Sequence, residues 1–496
     1  MILWMQTEPP TMVTWLHDVV RLFYRGWRIE TERTGEPEAR IDAVRRDASG
    51  SVQVEFVVQD RNGTAKETVI LDTGGEPAGR ELEGSIRRQI RLFLYRLLAR
   101  HTGREGNPYG ILTGVRPTKL VHRWLDEGVL VETVTERLKN EYGIRPDKAQ
   151  LLTEIAVRER PYLEKKETAA CRFSLYIGIP FCPSRCSYCS FLGAVVSDYP
   201  RQVGPFMEAL GKEIEILGEL TKSLGIKAQS VYVGGGTPTV LTCSDLERLL
   251  GWINCYFVTA QTREITVEAG RPDTLNVEKL RLLREAGVTR ICVNPQTINQ
   301  STLVSIGRNH SVHEVLEAFE LARQEGLRQV NMDLIVGLPG EGLKEYANTA
   351  RVIQQLRPEN VTVHVLAVKR GSAIAEVYEK ASFEDKMEQV ERGIEMFRDY
   401  LVKAGYEPYY LYRQRYMAAD MENIGYSLPG HYCLYNIQMI EERQTVLGLG
   451  AGAASKFVNP ADWSLTSLYN PKNPISYVES LPRLIRTKVD KLGGLT

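Results

Sequence analysis

The sequence has no excess of charge of either sign. Its 62 lysines and arginines face 62 aspartates and glutamates, so no bulk field recruits nucleic acid or a membrane surface. It also lacks a long apolar run. The longest, Val361–Val368, is broken by His364 and falls far short of the ~20 residues that a membrane-spanning helix needs. No basic start followed by an apolar core and a small-residue cleavage site is found, so no secretory signal is read and the expected location is cytoplasmic. Low-complexity and collagen-like tracts are missing. Hydrophobic residues make up 43% and charged residues 25%, the balance of a globular protein. Cysteine is scarce, eight in 496 residues, which argues against a disulfide framework. Three of the eight, Cys182, Cys186 and Cys189, crowd into one eight-residue window, and in a reducing compartment that speaks for metal or redox chemistry.

Three regions separate by pattern. Residues 1–165 read as an N-terminal α+β accessory domain. It has short strands at Gly26–Arg33, Glu38–Arg45, Ser51–Val58 and Thr64–Leu71, a hairpin turn at Asp60–Gly63 and helical periodicity from Leu82 to Arg100. Residues 170–380 alternate regularly. Strand-like runs occur at Phe173–Ile179, Ser230–Val233, Glu264–Val267, Arg290–Val293, Gln329–Ile335 and Asn360–Val365. Helical patterns between them, near Val203–Leu220, Ser244–Val258, Val277–Ala286, Val312–Gln324 and Leu343–Leu356, imply βαβ units and a parallel sheet. The fold class is therefore α/β: a partial (β/α)6 TIM-like barrel, with a C-terminal mixed α/β extension over 381–496 that covers the substrate site. Sheets of this kind place their chemistry at the C-terminal ends of the strands.

The sharpest motif leaves the first barrel strand: Tyr176-Ile-Gly-Ile-Pro-Phe-Cys-Pro-Ser-Arg-Cys-Ser-Tyr-Cys-Ser-Phe191, with cysteines spaced C-x3-C-x2-C. Thiolates are the natural ligands of iron–sulfur clusters, and three of them on a four-iron cluster leave one iron open to a small molecule. A zinc site would be closed by four ligands. No fourth Cys or His stands nearby downstream, and Cys171 precedes the strand.

This segment resembles the cluster-binding motif of the radical S-adenosylmethionine (SAM) enzymes, with Tyr176 and Phe191 flanking it as in the branch that processes tetrapyrroles. The resemblance implies a [4Fe–4S] cluster on Cys182, Cys186 and Cys189, S-adenosyl-L-methionine chelating the open iron, and reductive cleavage of SAM to a 5′-deoxyadenosyl radical. Other strand ends agree. Gly234, Gly235, Gly236 and Thr237 end the second strand, where glycines let the backbone approach a ligand closely. Glu268 ends the third strand, Gln296 follows the fourth, Asp333 ends the fifth, and Arg308 lies in Gly307-Arg-Asn-His310. By the resemblance each of these, with Tyr176, contacts SAM or shapes its pocket. His364 reads as a core residue with satisfied partners, and His310 and His313 as residues flanking a helix start.

The tail is distinctive in another way. Residues 405–416 interleave tyrosines with Arg413 and Arg415. A flat macrocycle bearing carboxylates is served by aromatic faces and guanidinium forks, although an amphipathic strand with solvated arginines has the same composition. Together with Tyr109–Lys119, this run resembles the HemZ-type oxygen-independent coproporphyrinogen III oxidase (coproporphyrinogen dehydrogenase) family over nearly the whole chain. The resemblance implies an oxidoreductase of haem and porphyrin biosynthesis. Two propionates of coproporphyrinogen III would be oxidatively decarboxylated to the vinyl groups of protoporphyrinogen IX, with Arg413 and Arg415 on substrate carboxylates. A flavodoxin- or ferredoxin-like electron donor and an unidentified electron acceptor would be its partners. One position departs from the dehydrogenase pattern. Where that pattern has a fourth cysteine, two residues after the third, this chain has Phe191, as do the sister haem chaperones. A haem carrier without decarboxylase activity, with His431 and Cys433 as iron ligands or as loop residues, is therefore the alternative, and a radical SAM tetrapyrrole methyltransferase is the third.

Overall fold

The computed structural model describes residues 1–494 apart from 33–34, 75–78, 190–193, 368–382 and 415–420, with the backbone alone of 383–386. The chain divides into two compact units, Met1–Glu154 and Ile155–Thr496. In the first, β1 (Ile2–Glu8), β2 (Arg28–Glu30), β3 (Ala39–Ala48), β4 (Ser51–Asp60) and β5 (Gly63–Asp72) form one sheet in the order β2-β1-β3-β4-β5. Period-2 alternation buries Leu3, Met5 and Thr7 of β1, which runs parallel to both of its neighbours. The Asp60–Gly63 turn closes the β4–β5 hairpin, and Asn62 N donates to Asp60 Oδ1 at 2.8 Å. The strand expected at Gly26–Arg33 shortens to Arg28–Glu30. The helix Arg80–Thr102 buries Ile86, Ile90, Leu94, Leu97 and Leu98.

The second unit is built on β6 (Arg172–Ile179), β9 (Lys227–Gly235), β10 (Glu264–Glu268), β11 (Arg290–Cys292), β12 (Gln329–Val336) and β13 (Asn360–Val365), six parallel strands that neighbour one another in chain order. This is the partial (β/α)6 barrel. From residues 381–496, read from sequence as a region of their own, five strands extend the same sheet at both edges. β14 (Glu407–Tyr412) and β15 (Asn423–Ser427) continue it antiparallel beyond β13. β16 (Thr445–Gly450) lies parallel to β6 and is followed by β17 (Ala454–Val458) and β18 (Leu465–Tyr469). Between β6 and β9 lie two short paired strands, β7 (Phe181–Cys182) and β8 (Ala194–Val195).

Alternation along the parallel strands separates two faces. Leu175, Ile177, Val231, Val233, Val267, Ile291, Met332, Leu334 and Val361 are fully buried on the outer face. Each contributes on the order of 1.5–3 kcal/mol by leaving water. The connecting helices supply matching stripes, such as Leu246, Leu249, Leu250 and Ile253, and begin at caps that fix their starts: Thr242, Asn276 and Ser311 accept from the backbone N–H three residues on. The inner face is polar. Near its base, Ser230 Oγ donates to Ser174 Oγ (2.8 Å), which donates to Gln444 Oε1 (2.6 Å). Arg290 donates to Glu264 Oε2 (2.5 Å), Gln329 Oε1 (2.8 Å), Asn360 Oδ1 (2.9 Å) and the His431 carbonyl (2.8 Å). Glu264 in turn accepts from Leu434 N (3.1 Å), Tyr435 N (3.3 Å) and the Cys433 thiol (3.1 Å), so a carboxylate caps the helix Leu434–Glu441 where its N-terminal amides gather. Cys433 and the His431 carbonyl are thereby taken up at the N-terminal ends of the strands. No helix among the described residues is long and apolar enough to cross a membrane.

Candidate functional site

At the C-terminal ends of the same strands the inner face opens. The cysteine loop leaves β6 through β7 and is pinned to the end of β9: Gly236 N donates to the Ile179 carbonyl (2.7 Å) and Thr237 N to the Phe181 carbonyl (2.8 Å). That docking demands glycine. Gly235 has φ +108°, and a Cβ on Gly236 would stand 2.5 Å from the Phe181 oxygen and 3.0 Å from Cys182 Sγ. Thr237 Oγ1 donates to Cys182 Sγ at 3.6 Å, while the far side of the loop is tied by Ser187 N to the Ile306 carbonyl (3.0 Å). Cys182, Cys186 and Cys189 are unpaired and half-buried.

Glu268 lies against Gly234, accepting from Gly235 N (3.2 Å) and from the Tyr232 hydroxyl (2.8 Å). Burial first, then the charge of Asp333, pushes its pKa up to about 7 against those two hydrogen bonds. Asp333 behaves oppositely. Burial presses it up too, but His364, Asn331 and Thr362 outweigh this and hold it below the usual carboxylate range. Two carboxylates on one face are thus split, one ionised and one poised near neutrality. His364 places Nε2 3.7 Å from Asp333 Oδ1, and its Nδ1 lies 3.2 Å from the Tyr412 hydroxyl.

Gln296 is buried with φ +70°, a strained conformation for a non-glycine residue. It is held by N–H donation to the Asp333 carbonyl (2.9 Å) and by Ile335 N donating to its own carbonyl (2.9 Å). Arg308, also buried, donates to the Asn294 carbonyl, and Asn294 Oδ1 accepts from Asp333 N at 3.2 Å. Tyr176 stacks on Tyr232 (6.1 Å, 17°) and Tyr435 (5.9 Å, 23°), and burial followed by the Glu268 charge raises its phenol pKa.

The structure therefore brings together Tyr176, Cys182, Gly234, Gly235, Gly236, Thr237 and Glu268, and links Gln296 and Arg308 to the Asp333 backbone. Arg413 follows Tyr412 and is buried rather than solvated. Arg415 and Phe191 lie outside the described residues. Several neighbours escaped the sequence reading: Tyr232, Cys292 (Sγ 3.9 Å from the Tyr232 hydroxyl), Arg271 and Tyr435.

An iron–sulfur cluster fits this loop. Cys182 Sγ lies in a backbone cradle that a Cβ on Gly236 would fill, a Cβ on Gly307 would crowd the Arg185 carbonyl beside Cys186, and Arg271 directs Nη1 at Cys186 Sγ from 3.7 Å. As a free thiol Cys182 is pushed up to about 11, by burial and by its sulfur neighbours against the Thr237 hydrogen bond, so iron rather than bulk pH would make it a thiolate.

Residues 176–353 match the family described as the radical SAM superfamily. The oxygen-independent coproporphyrinogen-III oxidase-like protein HemZ of Bacillus subtilis is 40% identical over 400 residues, 80% of this chain and 79% of that protein. The heme chaperone HemW of the same organism is 35% identical over 208 residues, 42% of this chain and 54% of its own. Among solved structures, coproporphyrinogen III oxidase (HemN) of Escherichia coli, described as a radical SAM enzyme, superimposes with a TM-score of 0.52 at 22% identity, covering 64% of this chain and 72% of that one; at that identity the likeness speaks for the fold.

Proposed function

The chain belongs to the radical SAM superfamily, in the HemZ-type family, and from that premise we propose that it oxidatively decarboxylates the propionates of coproporphyrinogen III to the vinyl groups of protoporphyrinogen IX. The observation that carries this reading is the set of three unpaired thiols at the C-terminal mouth of a polar lumen, in a chain so similar to HemZ.

Cys182, Cys186 and Cys189 would hold a [4Fe–4S] cluster. With SAM bound, that group supplies a carbon radical able to take a hydrogen atom from a propionate β-carbon. Glu268, near half-ionised at neutral pH, and the backbone around Gly234, Gly235, Gly236 and Thr237 would receive the methionyl end of SAM. Asp333, kept ionised, would accept hydrogen bonds from hydroxyls, while Gln296 and Arg308 shape the adjoining wall. The Tyr176–Tyr232–Tyr435 stack floors the lumen and excludes water beneath the reacting carbon. Arg413, with Arg415, would grip substrate carboxylates, and residues 381–496 would cover the macrocycle. Carbon dioxide leaves and one electron passes to an external acceptor. An electron donor of the flavodoxin or ferredoxin kind would be the protein's partner.

The test is an anaerobic assay of cluster-reconstituted protein with SAM, reductant and coproporphyrinogen III, read by mass spectrometry. Two successive losses of carbon dioxide, with 5′-deoxyadenosine formed and both absent in Cys186→Ala, are expected. A porphyrinogen mass that never falls while SAM is cleaved would overturn the proposal, and a gain of mass would mark a methyltransferase. The likeness to HemW supports one second reading, a haem carrier. Tight stoichiometric haem binding without decarboxylation would establish it.

A further inference from the structure

The three cysteines are not treated alike. Arg271, only 4% exposed, lies beside the loop and donates from Nη1 to Cys186 Sγ (3.7 Å) and from Nη2 to Ser184 Oγ (3.0 Å). Its other edge is forked by Asp273, Nε to Oδ1 at 3.1 Å and Nη2 to Oδ2 at 3.2 Å. The positive charge of the buried Arg308 also bears on Cys186. Cys182, by contrast, is met by the neutral Thr237 hydroxyl.

A buried guanidinium is costly unless its donors are used, and here one carboxylate and the loop share them. Reduction of an iron–sulfur cluster adds negative charge that spreads onto the ligating sulfurs. Hydrogen bonds and positive charge at a sulfur therefore favour the reduced form and raise the potential. Asp273 acts in the opposite sense: it orients Arg271 and offsets part of the charge.

We propose that Arg271 is a positioning residue of the cluster, fixing Cys186 and Ser184 and raising the cluster's reduction potential, with Asp273 attenuating it. This rests on the cluster reading above.

The experiment is an anaerobic redox titration of the reconstituted full chain without SAM, followed by electron paramagnetic resonance of the reduced cluster, with iron and sulfide counted in each sample. In Arg271→Gln the reduced-to-oxidised ratio at a fixed potential should fall about tenfold, which for a one-electron couple is ~59 mV. In Asp273→Asn it should rise. Arg271→Lys should fall between wild type and Arg271→Gln. Shifts of opposite sign are what a merely structural pair would not give. An unchanged ratio in a fully loaded Arg271→Gln, or shifts of the same sign in both variants, would overturn the proposal. Should Arg271→Gln fail to load, Asp273→Asn decides: a rise supports the role and no change overturns it. A wild-type protein that takes up no four-iron cluster would instead remove the cluster reading itself, a result visible in the iron count before any potential is measured.

Discussion

Glu264 and Glu268 begin and end the same strand, four residues apart on the same face, yet they are used in opposite ways. Glu264, at the base, is almost wholly buried and has its oxygens occupied by Arg290 and by the first amides of the helix Leu434–Glu441. Glu268, at the mouth, has a phenol and one amide for partners and is pushed up to about 7 by burial and by Asp333. Glu264 accepts four hydrogen bonds and Glu268 two. One strand thus carries a fixed foundation at one end and a carboxyl with only two partners at the other.

That contrast can be broken at either end. The largest effect is expected from Glu264→Ala, which strands the Arg290 charge and should cost about 3–5 kcal/mol in urea unfolding. Pairing Glu264→Leu with Arg290→Met should recover only part of it, since no orphan charge remains but the Leu434 and Tyr435 amides and the Gln329 and Asn360 oxygens lose these partners. Glu268→Gln should behave in reverse. Because the folded protein favours the protonated carboxyl, wild-type stability is undiminished below about pH 4.5, the unfolded value, and declines as pH rises toward 7. Relative to wild type, Glu268→Gln should therefore gain on the order of 2 kcal/mol between pH 4.5 and 8, compared by urea midpoints at both. Absence of any pH dependence in the difference would contradict the raised pKa. Gly236→Ala drives a methyl onto the Phe181 oxygen and Cys182 Sγ, so it should strain the loop by ~1–3 kcal/mol. It should also lower iron content after reconstitution while leaving the far-ultraviolet circular dichroism unchanged. The smallest change is Ser174→Ala, which removes a relay between Ser230 and Gln444 and should cost ~0.5–1.5 kcal/mol at any pH.

Much of this was legible because it is local. The cysteine spacing and the six barrel strands are written in short-range pattern, and the Gly234–Gly236 run stands where a close backbone approach is needed. The polar lumen had a signal that went unread. Parallel strands covered on both faces should be nearly continuous in apolar residues, yet Glu264-x-Thr266-x-Glu268, Arg290-x-Cys292, Asn331-x-Asp333 and Thr362-x-His364 alternate polar with apolar. Following that period leads to Cys292 and to the base network. Other features carried no such mark. Arg271 sits in a loop, where side-chain direction has no period, and Tyr435 reaches the Tyr176 stack from a helix far along the chain. Strand β1 was missed although Leu3, Met5 and Thr7 alternate, because a single short run is ambiguous between strand and helix.

The pairing of β6 with β16 bears on how the molecule is made. The first barrel strand acquires its second neighbour only when residues about 270 positions later have left the ribosome. At ~5–20 residues per second that interval is roughly 15–55 s, during which one edge of β6 is open to mispairing. The cysteine loop begins directly after that edge, so the nascent chain has an unfinished sheet and three bare thiols side by side. Synthesis is thus the stage at which the open edge of β6 and the cysteine loop beside it are exposed together.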